Sequence, residues 1–251
     1  NLKLNRMKTQ DILKKLEDDS NYYGDFGKQY LSNSDIGTLL SNPKEFRISR
    51  PDNKNFAEGR YFHQLLLEPE KAEDTLCVDV ASRNSKAYKE LRAEHDVEVA
   101  LLSKECVNVI ELVKTIRGNI FMFDKMTEET NQYEKPAIGT IKGMQWKGKA
   151  DILCDDCIID LKTSSNINDF KWSARKYNYD SQCYIYQQLF GRPLVFYVID
   201  KNTKMLGIYK PSEEFVHYGE MKVERAIEVY HRFFGDNPSE DINSFIIEDT
   251  L

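Results

Sequence analysis

The sequence predicts an α/β or α+β fold, with a helical N-terminal portion followed by a mixed sheet that helices interrupt. Three observations predict it. Up to about residue 130, apolar residues recur at spacings of three and four. From Asn131 the period becomes strand-like, with Pro and Gly as punctuation. After residue 162 helical and strand-like runs alternate, and the last run is helical. At 251 residues the chain can bury one sizeable core. The expected organisation is a single domain over residues 1–251: a mainly helical portion (1–130), a sheet core (131–211) and an acidic C-terminal helix and tail (212–251).

Taken in order, residues 8–18 (KTQDILKKLED) have a weak helical period, and a polar, Tyr-rich stretch continues to Tyr30. In SNSDIGTLLSNPKEFR, a Ser cap precedes Ile36, Leu39 and Leu40, Asn42 breaks the helix, and Pro43 opens the next turn. Residues 53–70 form a further helix with Phe56, Gly59, His63, Leu66 and Leu67 on one side, ended by Pro69 and the charges after it. Residues 84–94 and 103–117 are two more helices. The second carries the stripe Val107, Ile110, Val113 and Ile116, with Gly118 as its stop.

In QYEKPAIGTIKGMQWKGKADILC, turn residues at 136–139 and at Gly143 suit an antiparallel meander. Residues 150–154 and 157–161 are apolar, Ile-containing runs around the turn formers Asp155 and Asp156, which makes a hairpin. A polar loop and short helix follow, then a longer helix over 179–190 closed by Gly191 and Pro193. PLVFYVID and KMLGIYKP are the last strands, and 213–234 the last helix.

No uninterrupted apolar run approaches the ~18 residues that a membrane helix needs, so no membrane partner is expected. The N-terminus lacks an apolar leader, which argues against secretion. Asn1 is no initiator, so Met7 is read as the natural start and residues 1–6 as foreign to it. Five cysteines, at 77, 106, 154, 157 and 183, argue against a disulfide framework and suit a reducing, cytoplasmic compartment. Cys154 and Cys157 straddle the hairpin turn with no second pair to complete a zinc site, and are read as framing that turn. The net charge of −6 is uneven: ten acids against three bases in 212–251 put −7 there and leave the remainder at +1. A locally positive face for nucleic acid therefore stays open.

The hairpin sets Asp151, Asp160 and Lys162 at one end of the sheet. Two carboxylates and a lysine are the parts that metal-assisted phosphodiester hydrolysis needs: hard oxygen ligands for Mg²⁺, and a lysine to orient or deprotonate water. By itself the spacing equally fits an alternating strand with a solvated face.

Four segments together resemble the PD-(D/E)xK superfamily of nucleases, and within it the RecE (exonuclease VIII) type of phage and prophage exonucleases, related to the nuclease domain of RecB. They are the helix with Gly59 and His63 followed by LLLEPE, GKADIL at 148–153, IDLKTS at 159–164, and Tyr179, Gln182 and Tyr186 in a Y..Q...Y pattern. SNSDIGTLLSNPKEFR resembles the family's opening helices.

The resemblance implies a restriction-endonuclease-like mixed sheet flanked by helices. It implies His63, Asp151 and Asp160 as metal ligands, the backbone carbonyl of Leu161 completing the shell, and Lys162 as the catalytic lysine. Gln182 and Tyr186, four apart on a helix, share a face that in the family contacts DNA near the scissile phosphate, and Tyr179 joins it. Glu68 and Glu134 are read as outer-shell acids or ordinary surface residues. Thr163 and Ser164 are read as phosphate contacts, and Lys149, Lys171, Arg175 and Lys176 as lining the DNA path. His95, His217 and His231 lack such context and are read as ordinary residues.

The implied activity is Mg²⁺-dependent exonuclease action, with Mn²⁺ substituting, 5′ to 3′ on linear duplex DNA, leaving 3′ single strands for a RecT-like annealing protein. The implied setting is a bacterial cytoplasm, with a ring-shaped homo-oligomer around DNA. Some relatives hold an iron–sulfur cluster through a C-terminal cysteine trio that this sequence lacks, so no cluster is expected. A single-strand- or structure-specific nuclease, and an inactive DNA-binding adaptor, are the alternative readings.

Overall fold

A computed structural model describes residues 7–248. Residues 1–6, read above as foreign to the chain, and Asp249 of the acidic tail lie outside them. The centre is a five-stranded mixed sheet of β3 (Gln132–Ile141), β4 (Met144–Leu153), β5 (Ile158–Ser164), β6 (Leu194–Asp200) and β7 (Leu206–Tyr209), in that spatial order. Within this sheet only β5 and β6 run parallel, joined through α9 (Phe170–Lys176) and α10 (Tyr179–Phe190). The other pairs are antiparallel. This is the mixed α+β class that the sequence predicts.

Period-two alternation along the central strands separates two cores. Ile158, Phe196 and Val198 pack with α3 (Asn33–Ser41), α9, α10 and α11 (Glu213–Phe233). Ile159, Leu161 and Ile199 pack with α4 (Lys54–Leu67), α7 (Ser103–Gly118) and α8 (Ile120–Met126) on the opposite face. A strand buried on both faces carries apolar residues at successive positions, which is why the hairpin arms read as continuous runs. The hairpin forms where expected, with the Cys154 N–H donating to the Cys157 carbonyl at 2.9 Å across its turn.

Several expectations are corrected. Residues 136–139 make no turn, because β3 runs through them. As an edge strand it tolerates Pro136, whose missing N–H faces away from β4. The reversal falls at Lys142 and Gly143, both with positive φ (52° and 81°), as a tight hairpin turn requires. Helix α4 does end at Leu67, just ahead of Pro69, but Pro69 then opens a further short helix, α5 (Pro69–Ala72). On α4 the buried residues are Ala57, Glu58, Tyr61 and Phe62, while Phe56 is exposed. On α7 they include Cys106, Val109, Leu112, Val113 and Ile116, with Val107 exposed. Both faces are set by the packing of α4 on α7, which the residue spacing does not contain. The stretch before Tyr30 holds α1 (Thr9–Leu16) and α2 (Asp19–Tyr23).

The cysteine expectation is overturned at one pair. Strand β1 (Cys77–Val78) runs parallel to β2 (Leu101–Leu102), which leads straight into α7. That ladder sets Cys77 beside the first turn of α7, where it is disulfide-bonded to Cys106. Cys154, Cys157 and Cys183 are free.

Helix α10 sits where it does because α11 approaches it at Gly219. A Cβ there would overlap the backbone of Asp180 and Ser181. Gly219→Ala, although a gain in helix propensity of ~1 kcal/mol, is therefore expected to destabilise the protein by about 1–3 kcal/mol. Urea denaturation measures it, as a lower midpoint at unchanged slope.

Candidate active site

The site forms around the backbone of Leu161, between Asp160 and Lys162 on β5. The Leu161 N–H donates to Asp151 Oδ2 at 2.7 Å. Its carbonyl lies 3.0 Å from His63 Nε2, and His63 Nδ1 lies 3.4 Å from Asp151 Oδ2. Helix α4 thus delivers the imidazole over the strand that the carboxylate already grips. Glu134 completes the group. The β3–β4 register pairs Tyr133 with Ile152 and Lys135 with Ala150, which sets Glu134 opposite Asp151. Glu134 has φ 47°, a left-handed conformation costing on the order of 1 kcal/mol or more in a non-glycine residue.

One ligand atom each from His63, Glu134 and Asp151 lie within 4.8 Å of one another. Imidazole nitrogen plus carboxylate oxygen suits a divalent cation of the Mg²⁺, Mn²⁺ or Zn²⁺ kind. Electrostatics point the same way. Burial first, then the neighbouring Asp151 and Glu68, push the Glu134 carboxyl up to about 8, with Lys149 opposing. Burial likewise raises Asp151, and His63 opposes it. A bound cation would relieve this crowding of acids, so the donor set fits a metal.

Beside this group Asp160 and Lys162 form a second polar cluster, whose charges act on Asp151, Asp160 raising its carboxyl further and Lys162 opposing. Gln182, on α10, donates Nε2 to Asp160 Oδ1 at 2.6 Å, and Lys162 Nζ meets Asp160 Oδ2 at 2.6 Å. The ammonium also lies 4.8 Å from the centre of the Tyr179 ring. Burial works against the Lys162 charge, but Asp160 and the Tyr179 hydroxyl outweigh it, so its pKa is raised and the ammonium persists at neutral pH. Deprotonation of water by Lys162, left open by the sequence, is thereby disfavoured.

Placement differs from expectation at several residues. Asp160 lies outside the compact His63–Glu134–Asp151 group, though near enough to Asp151 for its charge to raise that carboxyl. It is 1% exposed and engages Gln182 and Lys162, while Glu134, read as peripheral, takes a central position. Tyr186 is buried and donates its hydroxyl to the Lys149 carbonyl at 2.9 Å, so it supports β4 rather than presenting a DNA face. Lys149 is buried, bonds Asp19 at 2.5 Å and lies over the Tyr22 ring, so it lines no path. Asp19, on α2, had no sequence signal. Glu68 pairs with Lys71 at 2.6 Å. Thr163 and Ser164 are half-buried at the end of β5, where Ser164 Oγ accepts from the Asn166 N–H at 3.2 Å. Lys171, Arg175 and Lys176 are exposed on α9.

A mixed sheet flanked by helices, with Asp151 on one strand of a hairpin and Asp160 and Lys162 on the next, defines a nuclease of the PD-(D/E)xK class. The chain belongs to the family described as a PDDEXK-like domain of unknown function (DUF3799), which matches residues 40–237. A crystal structure from Eubacterium rectale, provisionally assigned as an exonuclease, overlays with a TM-score of 0.63. It is 18% identical and covers 93% of this chain and 95% of that one, a likeness of fold. The crystal structure of SSO0001 overlays at a TM-score of 0.38 with 15% identity, over 88% of this chain and 85% of that one, too weakly to carry an argument. No curated protein matches the sequence.

The Glu134 shift has a defined sign. Between its ordinary value of 4.5 and about 8, the folded metal-free protein retains a proton that the unfolded chain has released. Stability through this group is therefore full below the lower value and falls as pH rises through the upper one. Thermal unfolding in chelator should show this decline, and Glu134→Gln should remove much of it. Added Mn²⁺ should raise Tm more at the alkaline end than at the acid end, because binding displaces the proton.

Proposed function

We propose that the chain is a Mg²⁺-dependent DNA exonuclease, with Mn²⁺ substituting, that degrades one strand of linear duplex DNA from 5′ to 3′ and leaves 3′ single strands. The observation that carries the nuclease reading is the division of labour around one strand. His63, Asp151 and Glu134 meet at the backbone of Leu161, while Asp160, Lys162 and Gln182 meet beside them, close enough for the Asp160 and Lys162 charges to act on Asp151. Polarity, preference for duplex ends, delivery of product to a RecT-like annealing protein in phage recombination, and a ring-shaped oligomer rest on the resemblance to RecE-type exonucleases.

His63, Asp151 and Glu134 would hold the cation, with the Leu161 carbonyl as a further donor. Bound there, it supplies Lewis acidity toward a phosphodiester. The remaining work belongs to the side chains. Lys162 presents a fixed ammonium that orients the attacking water and stabilises negative charge developing on the phosphate oxygens. Asp160 keeps that ammonium charged and in place. Gln182 holds Asp160 by one oxygen, which leaves the other for Lys162. Tyr186 steadies the β4 backbone two residues before Asp151.

A single-strand-specific nuclease is the second reading, favoured by the exposed rings of Trp172 on α9 and of Tyr177 just after it, before α10. Incubation with Mg²⁺ or Mn²⁺ and end-labelled linear duplex, single-stranded and circular DNA, with product sizing, separates the two. Lys162→Ala is expected to lower cleavage roughly 10²–10³-fold while leaving the Mn²⁺-induced rise in Tm in place. Intact DNA after incubation with wild-type protein, or equal cleavage by Lys162→Ala, would refute the nuclease reading. An inactive adaptor would instead show DNA binding without a Tm response to metal. Duplex affinity should also fall steeply with salt, since phosphate contacts dominate it.

A further inference from the structure

Helix α9 and the residue after it expose rings that the core does not use. Phe170 and Ala174 bury its inner side, whereas Trp172 is 65% and Tyr177 58% exposed. Tyr177 stands 6.0 Å, centroid to centroid, from Tyr179, whose ring in turn lies 4.8 Å from Lys162 Nζ. An unbroken series of contacts thus leads from the active-site ammonium to a ring open to solvent. Cations are interleaved with the rings: Lys171 Nζ lies 4.9 Å from the Trp172 ring, and the Arg175 guanidinium 5.2 Å from Tyr218, a half-exposed ring on α11.

The backbone beneath Tyr177 is held firmly. Its N–H donates to the Ser173 carbonyl at 2.9 Å. The next residue, Asn178, has φ 58°, accepts from Lys222 Nζ through its side chain at 2.9 Å, and accepts from Asn33 Nδ2 through its carbonyl at 3.1 Å. A ring on so fixed a backbone loses little freedom when something stacks on it.

Rings alternating with lysine and arginine are how proteins hold single-stranded nucleic acid: bases stack on the rings and phosphates follow the cations. A duplex hides the faces of its bases, so such rings serve only where pairing has been broken or is absent. We propose that Tyr177 and Trp172 form a stacking platform for unpaired nucleotides of the strand whose phosphate lies at Lys162, so that the substrate is single-stranded as it enters the site. This rests on the nuclease reading and specifies the state of its substrate.

The chain carries two tryptophans, Trp146, fully buried, and Trp172, largely exposed, so a nucleic-acid-dependent change in emission reports on Trp172. Titration of the full chain in chelator, where no cleavage occurs, should show quenching by an oligothymidylate and much less by a blunt duplex of equal length. With end-labelled oligothymidylate, Tyr177→Ala and Trp172→Ala should each weaken binding about tenfold, and Tyr177→Phe should bind as wild type does. Tm values unchanged from wild type show that the variants fold.

Unaltered affinity of both alanine variants, or equal quenching by duplex and oligomer, overturns the platform even if Mn²⁺-dependent cleavage is normal. Self-association that Trp172→Ala abolishes, with oligomer binding unaffected, would make these rings a protein interface and overturn it as well. A wild-type chain that neither binds the oligomer nor cleaves DNA defeats the nuclease reading itself.

Discussion

The local structure depends on one constraint, that carboxyl groups taken out of water must find partners. Asp160 is nearly inaccessible, and its two oxygens dictate where Gln182 and Lys162 lie. Gln182 rides on α10, so α10 must pack closely, and Gly219 of α11 provides the space. Asp151 draws in the Leu161 N–H and His63, which ties α4 to the centre of the sheet. Two helices from opposite layers are therefore registered against β5 by two acids, Asp151 before the hairpin turn and Asp160 after it.

Glu134 shows how one turn assignment propagates. Antiparallel pairing around Lys142 and Gly143 places Glu134 opposite Asp151, and it follows directly once the turn is put there. A turn at residues 136–139 instead removes Glu134 from that position. Lys-Gly was the correct signal because glycine favours the positive φ that such a reversal demands, whereas Pro136 needs only an edge strand. Like charges facing each other across strands are unfavourable, and this adds to burial in raising the carboxyl of Glu134.

The hairpin, the helix that carries His63, α10 to the residue, and the placing of Asp160 and Lys162 on one strand of that hairpin were legible, since each depends on short-range spacing. The buried sides of α4 and α7 were not, because the contact between those helices selects them. Lys149 read as a basic residue free to meet phosphate, yet Asp19, far away in sequence, captures it. The bond between Cys77 and Cys106 depends on the small parallel ladder of β1 and β2, whose two-residue strands carry no periodic signal.

By itself the sequence determined the fold class, the hairpin at the centre and most of the residues that surround it, because hydrophobic period and turn chemistry are local. Only the tertiary structure decided which acids meet. It set Glu134 beside His63 and Asp151, and turned Asp160 toward Gln182 and Lys162. The physical reason is that strand register and helix packing, which no short window encodes, determine which side chains each carboxylate meets.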